Sequence, residues 1–178
     1  KYESWSNIST RLNMEIKNSI SEILNKNPGK SGFEIPEFVK VFEKQTGSKF
    51  SNGNEVKLLI DGPTAFAERT RLIELEKKKI HVMSWAFYDD VTGKTYADLF
   101  IKKAKEGVDV RVMVDGQVTL QPKYNQMLKK MEENGVKIVR WRSTNPQRRF
   151  DGQHRKFIVF GDQQVIGGGM NFGDEYSH

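Results

Sequence analysis

From Glu55 onward, short apolar runs alternate with stretches of helical spacing, and this alternation restricts the possible folds more than any other feature of the chain. "EVKLLIDG" at 55–62 reads as a strand, "TAFAERTRLIELEKKK" at 64–79 as a helix and "IHVMSWAFY" at 80–88 as a buried strand. The pattern repeats with a helix at 95–107, a strand at 108–116, a helix at 123–135 and a strand at 137–141, and closes with two strands around a tight turn at 154–168. Such alternation predicts an α/β fold with a mixed, mostly parallel sheet flanked by helices, because parallel neighbours must be joined by crossover segments. Gly107 and Gly135 fall where a helix closes on a left-handed residue. The 178 residues, 37% of them hydrophobic, suffice for one ordinary core.

Ahead of this region, Ile8, Leu12, Ile16, Ile20, Ile23 and Leu24 recur at helical spacing up to the "NKNPGKSG" break at 25–32, and a second helix is expected over 35–45. The first helix carries Arg11, Glu15, Lys17, Glu22 and Lys26 on its polar face. That mixture lacks the cationic face of a membrane-surface helix, so the expectation is packing against protein. The chain therefore divides into a helical extension at 1–50 and an α/β lobe at 51–178. No stretch approaches the roughly 18 consecutive apolar residues of a membrane-spanning helix. Lys1 in place of a methionine points to a removed signal peptide or anchor, and the expected location is membrane-associated or exported.

Formal charge is +6 and there is no cysteine. The absence of cysteine removes disulfides and thiol nucleophiles, and three scattered histidines do not form a structural zinc site. The excess charge is local: residues 137–156 hold Lys137, Arg140, Arg142, Arg148, Arg149, Arg155 and Lys156 against Asp151 alone. A basic run of this density suits either a solvated loop or an anionic ligand such as phosphate, nucleic acid or lipid headgroup. Asp61 and Asp115 close two expected strands at the sheet edge where α/β proteins bind ligands, although Asp-Gly is also ordinary turn chemistry, which is the preferred reading of both.

In "HRKFIVF" at 154–160, period-two alternation puts His154 and Lys156 on the same face of a strand as Ile158 and Phe160. An unpaired ammonium on such a face is expensive to desolvate, and an anion between it and the imidazole offsets that cost. Gly167, Gly168 and Gly169 permit close backbone approach, and Asn171 can supply amide donors. Histidine can attack phosphorus or protonate a leaving oxygen near neutral pH, while Lys156 and Asn171 would stabilise charge on the other oxygens, with no metal or other cofactor.

At these residues the chain resembles the phospholipase D superfamily, whose motif runs His-x-Lys, four residues, Asp, six residues, Gly-Gly, one residue, Asn. His154, Lys156, Gly168, Gly169 and Asn171 fall in register, whereas the Asp expected at 161 is replaced by Gly161 followed by Asp162. That departure bears on turn geometry, because the motif's Asp is a structural residue. Residues 56–116 and the "GGMNFGDEY" at 168–176 are similar to bacterial cardiolipin synthases and related phospholipases D, so the resemblance covers about 54–176.

The resemblance implies a phosphohistidine intermediate and a second histidine, with His154, Lys156 and Asn171 catalytic. Gly168, Gly169, Arg155 and Arg149 would bind substrate, Asp162 would shape the turn, and Trp85 and Tyr88 would line a lipid path if they are more than core. Only one His-x-Lys is present, so the lobe is expected to supply half a site. Its partner is then a second lobe of a longer enzyme or a second copy of the chain. Phospholipid at a membrane surface is the expected substrate. Nucleic-acid phosphodiester cleavage and a non-catalytic anion-binding module remain the alternatives.

Overall fold

The computed structural model describes residues 5–142, 147 and 151–178, with side chains from residue 13 onward. The described residues form two compact units, divided between Lys57 and Leu58.

In the first unit, α1 (Trp5–Asn25) and α2 (Pro36–Thr46) are joined by a short 3-10 turn at Gly32–Glu34. Pro36 opens α2, where a missing N–H costs nothing, and Gly47 closes it at φ +67°. Phe33, Phe38, Phe42 and Phe50 pack ring to ring, and Phe50 is tethered by its N–H to the Glu43 carboxylate, 2.8 Å away.

The second unit contains α3 (Gly62–Leu75), β1 (Lys79–Met83), α4 (Val91–Lys105), β2 (Asp109–Asp115), α5 (Gln126–Glu133), β3 (Lys137–Trp141), β4 (Phe157–Phe160), β5 (Gln164–Gly167) and the one-turn α6 (Asp174–Ser177). The sheet order is β3-β2-β1-β4-β5. β1, β2 and β3 run parallel, connected through α4 and α5, whereas β4 lies antiparallel to β1 and β5 returns antiparallel to β4. The sheet is thus mixed, with its parallel half built from crossovers and its antiparallel half from a hairpin.

Alternation fixes which face is inside. Ile80 and Val82 of β1, Val110, Val112 and Val114 of β2, and Ile158 and Phe160 of β4 are buried and join one core with Phe66 and Ile73 of α3, Phe100 of α4 and Leu128 and Met131 of α5. Each helix begins at a physical signal. Asp61 and Asp90 accept N–H bonds of 2.8 Å from Thr64 and Gly93 at the starts of α3 and α4. Helix α3 stops short of Lys79 because the Glu76 carboxylate accepts N–H bonds from Lys77, Lys78 and Lys79 and turns the chain into β1.

The strand expected over 55–62 is absent. Residues 54–60 have no sheet partner, and the side chains of Leu58 and Ile60 are largely exposed. Period two identifies a possible strand face but supplies no neighbour to pair with. Asp61 is accordingly a helix cap rather than a strand end. The strand at 80–88 also stops early, at Met83. Ser84 and Trp85 still bond to the end of β2, and Phe87 forms one parallel bridge to Phe172, whose ring it stacks upon at 4.7 Å.

Candidate active site

The segment carrying His154 is fixed before β4 begins. Asp115, at the end of β2 and only 2% exposed, accepts N–H bonds from Gln117 (2.8 Å), Val118 (3.0 Å) and Gln153 (2.7 Å). The buried Gln153 side chain donates to the Ser84 carbonyl at 3.1 Å and accepts the Arg155 N–H. These bonds turn Gln153 inward and leave His154 exposed, its ring 5.7 Å from that of Trp85. His154 and Lys156 therefore precede the strand, contrary to their expected place within it. Lys156 keeps the inward register of Ile158 and Phe160, is 8% exposed, and donates from Nζ to the His154 carbonyl at 2.8 Å. Burial holds its ammonium below the ordinary lysine range.

The second half of the motif meets the first through Ser84. Its hydroxyl lies 2.9 Å from the Ala86 carbonyl and 3.1 Å from Asn171 Oδ1, which also accepts the Ala86 N–H at 3.3 Å. Asn171 is 1% exposed, and its Nδ2 donates to the Tyr176 hydroxyl at 2.8 Å. The asparagine amide is thus held in the frame by contacts at both its oxygen and its nitrogen. One Nδ2 proton is engaged by Tyr176, and the amide carries a second.

Behind the motif, Arg69 of α3 is 5% exposed between the rings of Phe66 (4.5 Å) and Phe172 (5.2 Å). It donates to the carbonyls of Met170 (3.0 Å) and Asn171 (3.4 Å). Burial lowers its pKa from the ordinary arginine value. Rings extend from the histidine: Trp85 to Tyr124 at 6.1 Å, Tyr124 to Tyr88 at 5.0 Å and Tyr88 to Tyr176 at 6.2 Å. The Tyr88 hydroxyl donates to Glu175 at 2.7 Å, and burial together with that bond pushes its pKa far upward.

Gly168 and Gly169 are exposed, neither has a positive φ, and a Cβ built on either meets nothing within 4 Å. Neither backbone conformation nor packing within the lobe accounts for them. Arg155 is exposed beside His154, and Arg149 lies outside the described residues, as does Arg148. Asp162 sits at the far end of β4, where it pairs with Lys79 of β1 after Gly161 turns at φ +55°.

The basic run is less uniformly available than its composition implies. Lys137 bonds Asp109 (2.8 Å), Arg140 bonds Glu132 (3.0 Å) and Arg142 donates to the Gly116 carbonyl (3.0 Å). His81 lies 3.4 Å from Asp109, at the opposite end of the strands. A groove of about 550 Å³ between α3 and α4, lined by Phe66, Thr70 and Tyr96 among others, contains none of the motif residues. Among the described residues, no three His, Asp or Glu side chains gather as a set able to hold a metal. Nor is any helix among them long and apolar enough to cross a membrane.

Residues 69–177 match the family model described as "Cardiolipin synthase, PLD-like domain". The chain belongs to the phospholipase D-like family. Cardiolipin synthase 1 of Bacillus cereus is 33% identical over 146 residues, which is 77% of this chain and 28% of that protein. The major cardiolipin synthase ClsA of Bacillus subtilis is 30% identical over 151 residues, covering 81% of this chain and 30% of the relative. This phospholipase D-like chain therefore spans less than a third of the length of these relatives. Among solved structures, the phospholipase D family member Nuc from Salmonella typhimurium superposes with a TM-score of 0.53 at 20% identity, covering 64% of this chain and 68% of that one. That likeness establishes the shared fold.

Gln153, Ser84, Arg69 and Tyr176 complete the site without having been legible as part of it. Gln153 and Tyr176 lie within a few positions of the motif, whereas Ser84 and Arg69 reach it from distant positions in the chain.

Proposed function

We propose that this lobe performs phospholipase D-type phosphodiester transfer or hydrolysis on phospholipids, supplying His154 to a site completed by a second histidine. The observation that carries this reading is the single polar frame, from Asp115 through Gln153 and Ser84 to Asn171, that joins both halves of the motif and leaves the imidazole outside. In the first step a histidine nitrogen attacks phosphorus, the P–O bond to the leaving alcohol breaks, and the second histidine, protonated, gives that oxygen its proton. In the second step this now neutral imidazole takes a proton from water or an acceptor alcohol, whose oxygen attacks phosphorus and breaks the P–N bond. His154 fills one of the two roles, or both in a symmetric pair.

Lys156, with its ammonium at the His154 carbonyl, supplies positive charge to the non-bridging oxygens, and the free Nδ2 proton of Asn171 is the amide donor available to them. The exposed Gly168–Gly169 ridge admits the phosphate or the facing lobe closely. That facing lobe is a further part of a longer protein or a second copy of this chain. The Trp85–Tyr124–Tyr88 row is the wall on which the non-reacting part of a lipid would lie. Engagement of Lys137, Arg140 and Arg142 by groups of the lobe itself favours one phosphodiester over an extended nucleic-acid backbone.

The test offers the protein phosphatidylglycerol vesicles and, separately, single-stranded and duplex DNA. Release or transfer of the phosphatidyl group is the expected result. Cleavage of DNA without lipid turnover would support the nuclease alternative, and phosphate binding without turnover of either, with the facing lobe present, would reduce the lobe to an anion-binding module.

A further inference from the structure

Arg69 is an anomaly of the core. The inner face of α3 is otherwise made by Ala65, Phe66, Leu72 and Ile73, yet at position 69 it buries a guanidinium. Among the described residues no carboxylate pairs with it, and its Nε has no hydrogen-bond partner. A buried cation with no carboxylate partner carries a desolvation cost that a leucine would not, offset here by two carbonyls and the faces of Phe66 and Phe172. What leucine cannot do is hold the consecutive carbonyls of Met170 and Asn171 with one planar fork. Those carbonyls belong to the stretch that presents Asn171, whose side chain is oriented by Ser84, Ala86 and Tyr176.

We propose that Arg69 is a positioning residue of the phosphate site: by gripping the Met170 and Asn171 carbonyls from α3 it fixes the Asn171 amide and the glycine ridge before it. This rests on the reading of the motif as a phosphate site. It adds a residue outside the motif, and it predicts that the geometry of the 168–172 stretch and anion binding change together when Arg69 is replaced.

The experiment compares the protein with its Arg69→Leu and Arg69→Lys variants by thermal melting, by amide NMR of residues 168–172 and the Asn171 side chain, and by titration with inorganic phosphate. Arg69→Leu removes a buried charge but strands two carbonyls, so it is expected to keep a cooperative melt near the parent temperature while the 168–172 amides shift and phosphate affinity falls about tenfold, the scale of a lost charge-assisted hydrogen bond. Arg69→Lys, keeping charge but not the fork, should recover part of that affinity. Unchanged 168–172 amides with full phosphate affinity in Arg69→Leu would overturn the proposal. So would a steep drop in melting temperature with shifts spread through the core, which would make Arg69 a structural residue alone. Should the parent bind no phosphate, the phosphate reading of the site fails, and the Asn171 amide still decides whether Arg69 positions it.

Discussion

The two ends of β2 carry two aspartates that solve different problems. Asp109, at the start, gathers Arg111, Lys137 and His81 into an ion-pair cluster at the surface, and the first two hold its carboxyl far below the usual range. Asp115, at the other end, is buried and filled by three backbone N–H groups. Each end has a histidine nearby, and the His–Asp contact of 3.4 Å, between His81 and Asp109, is at the end without the motif. A histidine beside a carboxylate is therefore a poor guide to the working site here. What distinguishes His154 is an immobilised backbone on both sides, an exposed ring and a buried ammonium beneath it.

The comparison can be broken most strongly at Asp115. Asp115→Ala strands three backbone donors and should cost about 3 kcal/mol in urea unfolding, with the His154 segment losing its hydrogen-exchange protection first. Next in size is Lys156→Met, expected to weaken phosphate binding about tenfold, as the loss of a charged donor would. The parent should also show a pH signature that this variant lacks. Because burial depresses the Lys156 pKa, the unfolded chain holds this proton more tightly than the folded one. Stability should rise as pH climbs through the depressed pKa, while phosphate affinity falls over the same interval, beginning below the ordinary lysine value of about 10.4.

Gly168→Ala separates fold from function more finely. A Cβ there meets nothing and the backbone conformation permits it, so the melting temperature should hold or rise slightly, yet turnover should drop if a phosphate or partner lobe must approach the ridge. The smallest effect is expected at the other aspartate: Asp109→Asn should barely move the melting temperature, and what change there is should fade in high salt.

Much of the lobe was legible because its information is local. The helices and the five strands of the sheet follow from periodicity, and the motif residues lie within eighteen positions of one another in the chain, from His154 to Asn171. What escaped is information carried through space. The run at 54–60 alternates like a strand, but nothing in it specifies a neighbour. The basic run overstates its available charge because Asp109 and Glu132, which engage Lys137 and Arg140, come from other elements. Ser84 meets Asn171 across 87 positions and Arg69 meets Asn171 across 102, separations at which one sequence carries no local signal. That the Asn171 amide is held by Ser84, Ala86 and Tyr176 is likewise invisible without those contacts.

The central claim, that His154 and not the carboxylate-paired His81 handles the phosphoryl group, is tested most directly by measuring phosphatidyl turnover of His154→Ala and His81→Ala side by side on phosphatidylglycerol vesicles. Loss of about a thousandfold or more in the first variant, with the second within about twofold of the parent, is the predicted result, since removing a nucleophile or general acid takes away a whole chemical step. Turnover that survives His154→Ala and collapses in His81→Ala would contradict it.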